Sequence, residues 1–405
     1  MRHAPARGRH ERIAGSAEMI ASRIAPMPPP SICLLGLDNL PALSPAHAHL
    51  GVGGEPIQQT LIARALARRG FRVSMVVCDL GQEDAIVIDG ITVYKAHQPD
   101  AGLPLLRFAH PRWTSVMAAL RRADADAYYT SCAGIGTAQL ALTARRRGAG
   151  TVFRIASDAD CDPDRLLIPY WYGKRIYEWG LPRLSRVLAQ SAAQREAIRA
   201  HYRVDSQVAG MLVDHGRSDR PFEARRRHGL WVGNIRQLKR PDLMLELARR
   251  LPALQFEMVG GTQPRSEALY AEVLGAAASM QNLEFTGPVP YASVGAIFEG
   301  SRVFVNTSDT EGFPNTYLQA WARGVPVVAF FDPDAVIARE GLGHAATSFD
   351  DLQRAVARLS MDPMAWQAAS ARCVAFMERE FAEERVLRPY LDAFEQCAAT
   401  REARQ

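Results

Sequence analysis

One segment of the chain combines an acid, a glycine, a proline and an amide at a spacing that could bind an anionic ligand. It runs from Asn306 to Ala320 and contains Glu311, Gly312, Pro314 and Gln319. The pattern predicts a strand end, a turn and a helix with the proline at its first position. A helix start offers unpaired N–H groups that suit a phosphate, and a glycine lets a ligand approach the backbone closely. An ordinary strand–turn–helix with a capping acid is the alternative.

A second segment carries three cations between a glycine and another proline-started helix. Gly233 follows a predicted strand, and Arg236, Lys239 and Arg240 precede Pro241. Fixed positive charges in such a place would bind a diphosphate through charge-assisted hydrogen bonds. A solvated cationic turn is the alternative. Because lysine is rare in this chain, with three among 48 basic residues, a lysine at this position favours a function.

Two other polar clusters raise the question of a metal site. The acidic run from Asp158 to Asp164 does not fit a calcium loop, because Pro163 replaces the turn glycine and Pro169 stands where a bidentate glutamate should be. A His-Ala-His sequence at residues 47–49 has no third ligand near it in the sequence. We therefore expect no metal and no cofactor. The acids are expected to line a cleft or a solvated loop, and the histidines to lie in a cleft loop.

The elements that must position these segments alternate between short apolar runs and helical stretches. Strands are predicted at residues 32–35, 71–78, 127–130, 151–155, 187–190, 230–232, 255–259, 283–285, 303–305 and 327–330, and helices lie between them, for example at 55–69 and 241–250. This rhythm is typical of parallel, doubly wound α/β sheets. It is interrupted at residues 206–228, so we predict two tandem Rossmann-like domains, 31–205 and 229–375, joined by a hinge. Ligands of such sheets bind beyond the carboxyl ends of the strands, which places the site in a cleft between the domains.

The composition excludes several classes of protein. The 405 residues are 48% hydrophobic and 22% charged, which is ordinary for a globular protein and unlike collagen or a disulfide scaffold. No run approaches the roughly 18–20 apolar residues of a membrane-spanning helix. The net charge is +5, but five arginines against two glutamates lie in residues 1–30, so we expect no nucleic-acid partner. We expect those 30 residues to be a disordered tail or a misassigned start, and the six scattered cysteines to be reduced thiols in the cytoplasm.

In this order, the two segments resemble the retaining glycosyltransferases of family 4, which have the two-domain GT-B fold. The resemblance is strong over residues 230–330 and weaker over 32–190. The family has a Glu-Gly-Phe motif followed by a second glutamate, which Glu311-Gly312-Phe313 and position 319 fit. It also has a glycine-rich loop before an aliphatic helix, similar to Gly53-Gly54, and a last helix that packs back across the cleft, similar to residues 376–405.

The resemblance implies a hexosyl-type transfer from a UDP- or GDP-sugar with retention and without a metal. Glu311 would then bind hydroxyls of the donor sugar, while Arg236 and Lys239 would stabilise the leaving diphosphate. The remaining donor-binding positions would be Gly53, Gly54, Gly233, Gly312, Phe313, Pro314, Asn315, Thr316 and the ribose-binding position 319. A glycan or a lipid-linked molecule of the cell envelope would be the acceptor.

Two positions depart from the family pattern. The second glutamate is Gln319 here, and an amide cannot accept two ribose hydroxyl bonds as a carboxylate can. A histidine that many members carry in the cleft is also absent, and Ser157 and Asp158 stand in its place, where they would face the acceptor. Either the activity is reduced or these residues replace the histidine. A GT-B nucleotide-sugar epimerase and a catalytically weak GT-B scaffold protein are therefore the alternative functions.

The stretch from Leu105 to Arg122 contains basic and apolar residues but no acid. A basic amphipathic segment of this kind could contact anionic lipid at the inner face of a membrane. A half-exposed helix of the fold is the alternative. We therefore expect a cytoplasmic protein that is soluble or peripheral at the membrane.

Overall fold

The computed structural model describes residues 29–103, 106–213, 216, 218–263 and 265–402, which form two α/β sheets in succession. The N-terminal sheet has eight strands in the order β3-β4-β2-β1-β5-β6-β7-β8, and all neighbours are parallel except β3 and β4. These strands are β1 (Ser31–Leu35), β2 (Arg72–Val77), β3 (Ile86–Ile88), β4 (Ile91–Lys95), β5 (Ala127–Ser131), β6 (Gly150–Arg154), β7 (Arg186–Ala189) and β8 (Gln207–Val208). Residues 1–28 of the tail predicted at 1–30 lie outside the described residues.

The C-terminal sheet has six parallel strands in the order β11-β10-β9-β12-β13-β14. They are β9 (Arg227–Val232), β10 (Phe256–Val259), β11 (Leu283–Gly287), β12 (Ser301–Asn306), β13 (Val327–Ala329) and β14 (Gly343–Ala345). Strands β1, β5 and β6 are buried along their whole length, since helices cover both faces of a parallel sheet. Two tandem doubly wound domains are therefore confirmed.

Fourteen helices of the described chain flank the two sheets. They are α1 (Leu40–Leu43), α2 (Gly54–Arg68), α3 (Thr114–Ala123), α4 (Gly136–Arg147), α5 (Trp171–Gly180), α6 (Ala192–Tyr202), α7 (Pro241–Arg250), α8 (Glu267–Ala278), α9 (Tyr291–Glu299), α10 (Asn315–Ala322), α11 (Val336–Glu340), α12 (Phe349–Met361), α13 (Pro363–Glu380) and α14 (Glu383–Glu402). Each sheet reverses its strand order, beside β1 in the first and beside β9 in the second. The loops that follow these strands therefore meet at the edges where a ligand is expected.

Four strands were missed in the sequence. The β3–β4 hairpin is closed by Asp89 and Gly90, which both have positive φ, at 51° and 76°. An Asp-Gly pair between apolar runs is a strong hairpin signal, so this pair could have been found. Strands β8 and β14 have two and three residues, which is too short for a periodic pattern to show.

The last helix crosses back to the N-terminal domain, as the resemblance implied. Helix α13 packs on the C-terminal domain, and α14 then lies against β5 and β6 of the first sheet. The Tyr390 hydroxyl donates to the carbonyl of Gly210 at 2.9 Å. A Cβ at Gly150 would lie 2.1 Å from the Cβ of Cys397, so the helix approaches β6 as closely as a glycine allows.

The membrane prediction for the stretch from 105 to 122 is not supported by the structure. Helix α3 buries its apolar residues Val116, Met117 and Leu120 in the domain core, because this helix covers one face of the sheet. Helix α3 is therefore a half-exposed helix of the fold, and residues 104–105 lie outside the described chain. Within the described residues no helix has the length and apolar character needed to span a membrane.

Candidate active site

Glu311 and Lys239 contact each other directly on the C-terminal side of the cleft. Lys239 ends a single 3-10 turn after β9, and Glu311 lies in the loop after β12. Their side chains form an ion pair and are 19% and 13% exposed. The hydroxyl of Ser308 also donates to the Glu311 carboxylate at 2.7 Å. The carboxylate is thus oriented by two donors, and two of the three predicted catalytic residues, Glu311 and Lys239, are in contact.

Hydrogen bonds between neighbouring loops bring these two residues together. Trp231 Nε1 donates to the buried hydroxyl of Thr307 at 3.0 Å, and that hydroxyl donates to the Lys239 carbonyl at 2.8 Å. The Asp309 N–H donates to the Leu238 carbonyl at 3.0 Å. Because β9 and β12 are adjacent strands, the loops that follow them lie side by side and bond to each other.

Arg236 has unused donor capacity in this segment. Its Nε is buried and has no hydrogen-bond partner among the described residues. Lys239 is paired with Glu311, and Arg240 is paired with Asp242 at 2.8 Å. A buried guanidinium nitrogen without a partner is costly unless an anion binds it. Arg236 is therefore the cation of this segment that is best placed for a ligand.

The turns after β9 and β10 touch through their backbones. The Gly233 N–H donates to the Val259 carbonyl at 2.9 Å. A Cβ at Gly260 would lie 1.8 Å from the Gly233 carbonyl oxygen, whereas a Cβ at Gly233 would meet only the Trp231 ring, at 3.3 Å. The packing requirement for a glycine therefore falls on Gly260, and the donor-binding role of Gly233 stays a prediction.

Helix α10 begins one residue later than expected. Pro314 is the N-cap, with φ −69° and ψ 124°, and not the first helical residue. The first-turn N–H groups of Asn315 and Thr316 have no acceptor within the described part of the chain. Gln319 is 8% exposed, and its side-chain amide likewise has no partner among the described residues. The helix start thus offers the anion-binding groups that were expected.

The N-terminal domain contacts two of the predicted donor-binding residues, Phe313 through its backbone and Asn315 through its side chain. The Phe313 N–H donates to Gln190 Oε1 at 2.7 Å, so this amide is not free for a ligand in the present arrangement. Asn315 Nδ2 donates to the Gly54 carbonyl at 2.7 Å. The glycine loop and the Glu311 loop therefore face each other across a closed cleft.

The glycine loop is held by a buried ion pair that the sequence did not reveal. Gly53 is the N-cap of α2, and Glu55 follows in its first turn. Both Glu55 oxygens lie 2.7 Å from Nη1 of Arg154, which ends β6 and is fully buried. Arg154 Nε and Nη2 have no partner in the described chain. This pair ties the loop to the edge of the first sheet.

Asp158 lies on the N-terminal side of the cleft. Ser157 caps a 3-10 turn, and Asp158 accepts a hydrogen bond from Gln194 at 2.9 Å. Burial raises the pKa of Asp158, and the negative charges of Asp334 and Glu311 act in the same direction. Two acids of the C-terminal domain therefore act on Asp158, and its place in an acceptor site stays a prediction.

Asp160 is buried, and its carboxylate accepts hydrogen bonds from the backbone. Its carboxylate accepts the N–H groups of Ala156 at 2.9 Å and Ser157 at 3.2 Å. Burial nevertheless raises its pKa to about 6. No cluster of three or more His, Cys, Asp or Glu side chains in the described chain has the arrangement of a metal site.

This geometry suits a negatively charged ligand that carries hydroxyl groups. A guanidinium with a free donor and two free helix amides can bind a diphosphate and stabilise charge that develops on it. The oriented carboxylate of Glu311 can accept hydrogen bonds from hydroxyl groups next to it.

Comparisons with known proteins match both domains. The model "Glycosyl transferase 4-like domain" matches residues 53–211, and the model "Glycosyl transferases group 1" matches residues 226–362. A D-inositol 3-phosphate glycosyltransferase of Mycobacterium leprae is 28% identical over 189 residues, which is 43% of this chain and 44% of that protein. The match thus covers less than half of that curated relative.

Solved structures show the fold. A sucrose-phosphate synthase from Thermosynechococcus elongatus has a TM-score of 0.73 at 16% identity, covering 91% of this chain and 99% of its own. Anabaena Alr3699/HepE, in complex with UDP and glucose, has a TM-score of 0.67 at 15% identity, covering 92% and 100%. The two sheets, the cleft and the returning helix have the GT-B fold, and the chain belongs to the glycosyl transferases group 1 family.

Proposed function

We propose that the protein transfers a hexosyl group from a UDP- or GDP-sugar to a hydroxyl group of a glycan or lipid-linked acceptor. The observation that carries the proposal is the Glu311–Lys239 ion pair, formed by the loops after β12 and β9. The loop after β9 also carries Arg236, whose buried Nε has no partner among the described residues. Family membership supports the reaction class. The UDP and glucose in the Anabaena structure support the donor class.

In this proposal, different residues contact different parts of the donor. Arg236 and the start of α10 bind the diphosphate, and Lys239 adds a second cation while it orients Glu311. Glu311 accepts hydrogen bonds from sugar hydroxyls. When the bond between the sugar carbon and the diphosphate oxygen breaks, its electron pair stays on the diphosphate, and the nearby cations stabilise that charge. The acceptor oxygen forms the new bond, and its proton passes to the departing diphosphate oxygen, which holds the electron pair of the broken bond. Retention follows the family pattern.

The acceptor side of the cleft would be formed by Ser157 and Asp158. Asp158 accepts a hydrogen bond from Gln194 through one oxygen, and burial raises its pKa, so we assign it to binding a polar acceptor group. We place the reaction in polysaccharide or cell-envelope assembly in the cytoplasm, without a metal, so activity should survive EDTA. Complete loss that divalent ions restore would contradict this.

Release of free nucleoside diphosphate tests the function. UDP-glucose, UDP-N-acetylglucosamine, UDP-galactose and GDP-mannose are incubated with the protein, and released UDP or GDP is measured. A transferase releases diphosphate from at least one of them, through hydrolysis or transfer. An epimerase instead converts the sugar without release, and a scaffold protein does neither. Glu311→Gln should lower turnover far more than UDP or GDP affinity.

A matched pair of arginines tests the diphosphate assignment. Arg236→Ala should weaken UDP or GDP binding by about 1.5–3 kcal/mol, because a hydrogen bond to a charged group is lost. Arg240→Ala is the control, since Arg240 is already paired with Asp242, and its effect should be below about 1 kcal/mol. Calorimetry measures both. Equal affinity losses in the two variants would remove Arg236 from the diphosphate site.

A further inference from the structure

The loop that carries Glu311 touches the opposite domain at Gly312. A Cβ at this position would lie 2.5 Å from the Ala156 carbonyl oxygen and 2.6 Å from Gln190 Oε1. Both atoms belong to the N-terminal domain. Those distances are shorter than real Cβ contacts, so in this arrangement the glycine is required by the opposite domain, whether or not a ligand is bound.

Gln190 is held rigidly where it meets this loop. It follows β7 and is 7% exposed. Its Oε1 accepts the Phe313 N–H at 2.7 Å, and its Nε2 donates to the Ala156 carbonyl at 3.4 Å. Its own N–H donates to Gln194 Oε1 at 2.9 Å. Because the amide is bonded on both sides, its oxygen has one fixed position.

The rest of the loop makes few backbone hydrogen bonds. On its amino side, the Asp309 N–H donates to the Leu238 carbonyl at 3.0 Å. Residues 310–312 make no backbone hydrogen bond to the described part of the chain. On the carboxyl side, the Phe313 ring packs against Trp321 and Phe381, and the first backbone bond is that of the Phe313 N–H to Gln190. The backbone on the two sides of Glu311 is therefore held by one hydrogen bond from each domain.

We propose that Gln190 is a positioning residue, which sets the Gly312–Phe313 backbone in the closed cleft and so places the Glu311 carboxylate for the reacting sugar. The inference rests on the proposed function. It explains how closure of the two domains reaches the reacting group: the donor domain alone orients the carboxylate through Ser308 and Lys239, and Gln190 completes the alignment from the other domain.

A second contact between the same domains provides a control. The N–H groups of Ala192 and Ala193, at the start of α6, donate to Asp334 at 3.0 and 3.3 Å. Gln190, Phe313 and Asp334 all line a cavity of about 460 Å³ between the domains. Asp334 thus also joins the domains within a few residues of Gln190, but it makes no bond to the Glu311 loop.

The test compares Gln190→Met, Gln190→Glu and Asp334→Ala. The methionine keeps the volume but removes the acceptor, and the glutamate keeps an acceptor. Gln190→Met should lower kcat about tenfold, the order expected for one hydrogen bond, while KM and UDP or GDP affinity change less than about threefold. Gln190→Glu should recover part of the loss. Asp334→Ala should leave kcat within about twofold.

Hydrogen exchange of the Phe313 amide tests the contact independently of activity. Exchange should be faster in Gln190→Met than in the wild-type protein and unchanged in Asp334→Ala. Equal exchange in Gln190→Met and wild type would overturn the inference, as would an equal loss of kcat in the methionine and Asp334 variants. If no nucleotide sugar is turned over, the proposed function fails, and the exchange result still decides whether Gln190 fixes the loop.

Discussion

The two sides of the cleft are built in different ways. On the C-terminal side, Glu311, Lys239 and Thr307 are joined by hydrogen bonds between loops of adjacent strands. On the N-terminal side, the glycine loop is held by a buried charge pair, Glu55 with Arg154. Lys239 and Glu311 keep 19% and 13% of their side chains exposed, whereas Arg154 is fully buried, and a fully buried charge must keep its partner. We therefore expect substitutions on the first side to affect binding and those on the second to affect stability.

The largest effect should come from removing one partner of the buried pair. Glu55→Gln leaves Arg154 charged, fully buried and without a counter-ion. Breaking such a pair costs about 3–5 kcal/mol in the free energy of unfolding. Urea denaturation of the purified protein measures this difference. A loss of this size would show that the charge of Glu55 stabilises the buried Arg154.

Two further variants sharpen this result. Adding Arg154→Met to Glu55→Gln removes the unpaired charge and should recover much of the lost stability. Arg64→Ala is the exposed control, because Arg64 pairs with Asp89 at 2.8 Å with side chains 32% and 52% exposed, and it should cost less than about 1 kcal/mol. If Glu55→Gln cost no more than Arg64→Ala, the contrast between the two sides would be wrong.

The same contrast explains what could be predicted from the sequence. Glu311, Arg236 and Lys239 were nominated because each lies in a short motif between a strand and a helix, where spacing indicates position. Glu55 and Arg154 are 99 residues apart, and an ion pair at that separation leaves no periodic signal. Their meeting depends on β6 and the start of α2 sharing one sheet edge, which follows only from the folded topology.

Gln190 was missed for the same reason. It contacts Phe313, which is 123 residues away and in the other domain. The available signal was a polar residue at a strand end, just before Ser191, which caps α6. Strand ends in such sheets form the ligand edge, so a buried glutamine there could have been nominated. The sequence does not show how closely the two domains approach each other. The glycine at position 312 was therefore explained only by the approach of a ligand, and not by contact with the N-terminal domain.

A smaller effect is expected in the pH dependence of stability, which Asp160 on the N-terminal side should change. Burial raises the pKa of Asp160 from an ordinary 3.8 to about 6. Between about pH 4 and 6 the folded protein keeps a proton that the unfolded chain has lost. The contribution of Asp160 to stability should therefore fall as pH rises through this window, by up to about 3 kcal/mol, and stay constant above it.

Asp160→Asn removes this titration. Urea denaturation at pH 4, 5, 6 and 7 should show the variant gaining stability relative to wild type as pH rises to 6, because the asparagine carries no charge to bury. The fixed cost of altered hydrogen bonds at Ala156 and Ser157 shifts the difference equally at every pH. A stability difference that does not change between pH 4 and 6 would show that the carboxylate is not destabilised by burial, and this part of the contrast would be lost.

The smallest effect tests the C-terminal side, where binding should change and stability should not. The Gln319 amide lies in α10 and has no hydrogen-bond partner among the described residues. If it binds ribose, it accepts one hydroxyl bond where a carboxylate accepts two. Gln319→Glu should then tighten the binding of uridine or guanosine by about 1–2 kcal/mol, or roughly tenfold.

The diphosphate provides the internal control for this prediction. The new charge would repel a bound diphosphate, which offsets about 1 kcal/mol at an effective dielectric constant of 20 or above. Calorimetry should therefore show a larger gain for the nucleoside than for UDP or GDP, and the repulsion should weaken in high salt. Unchanged nucleoside binding would mean that position 319 does not contact ribose. An equal gain for nucleoside and diphosphate would place the carboxylate far from the diphosphate, so that Arg236 and the start of α10 would not share one ligand with Gln319.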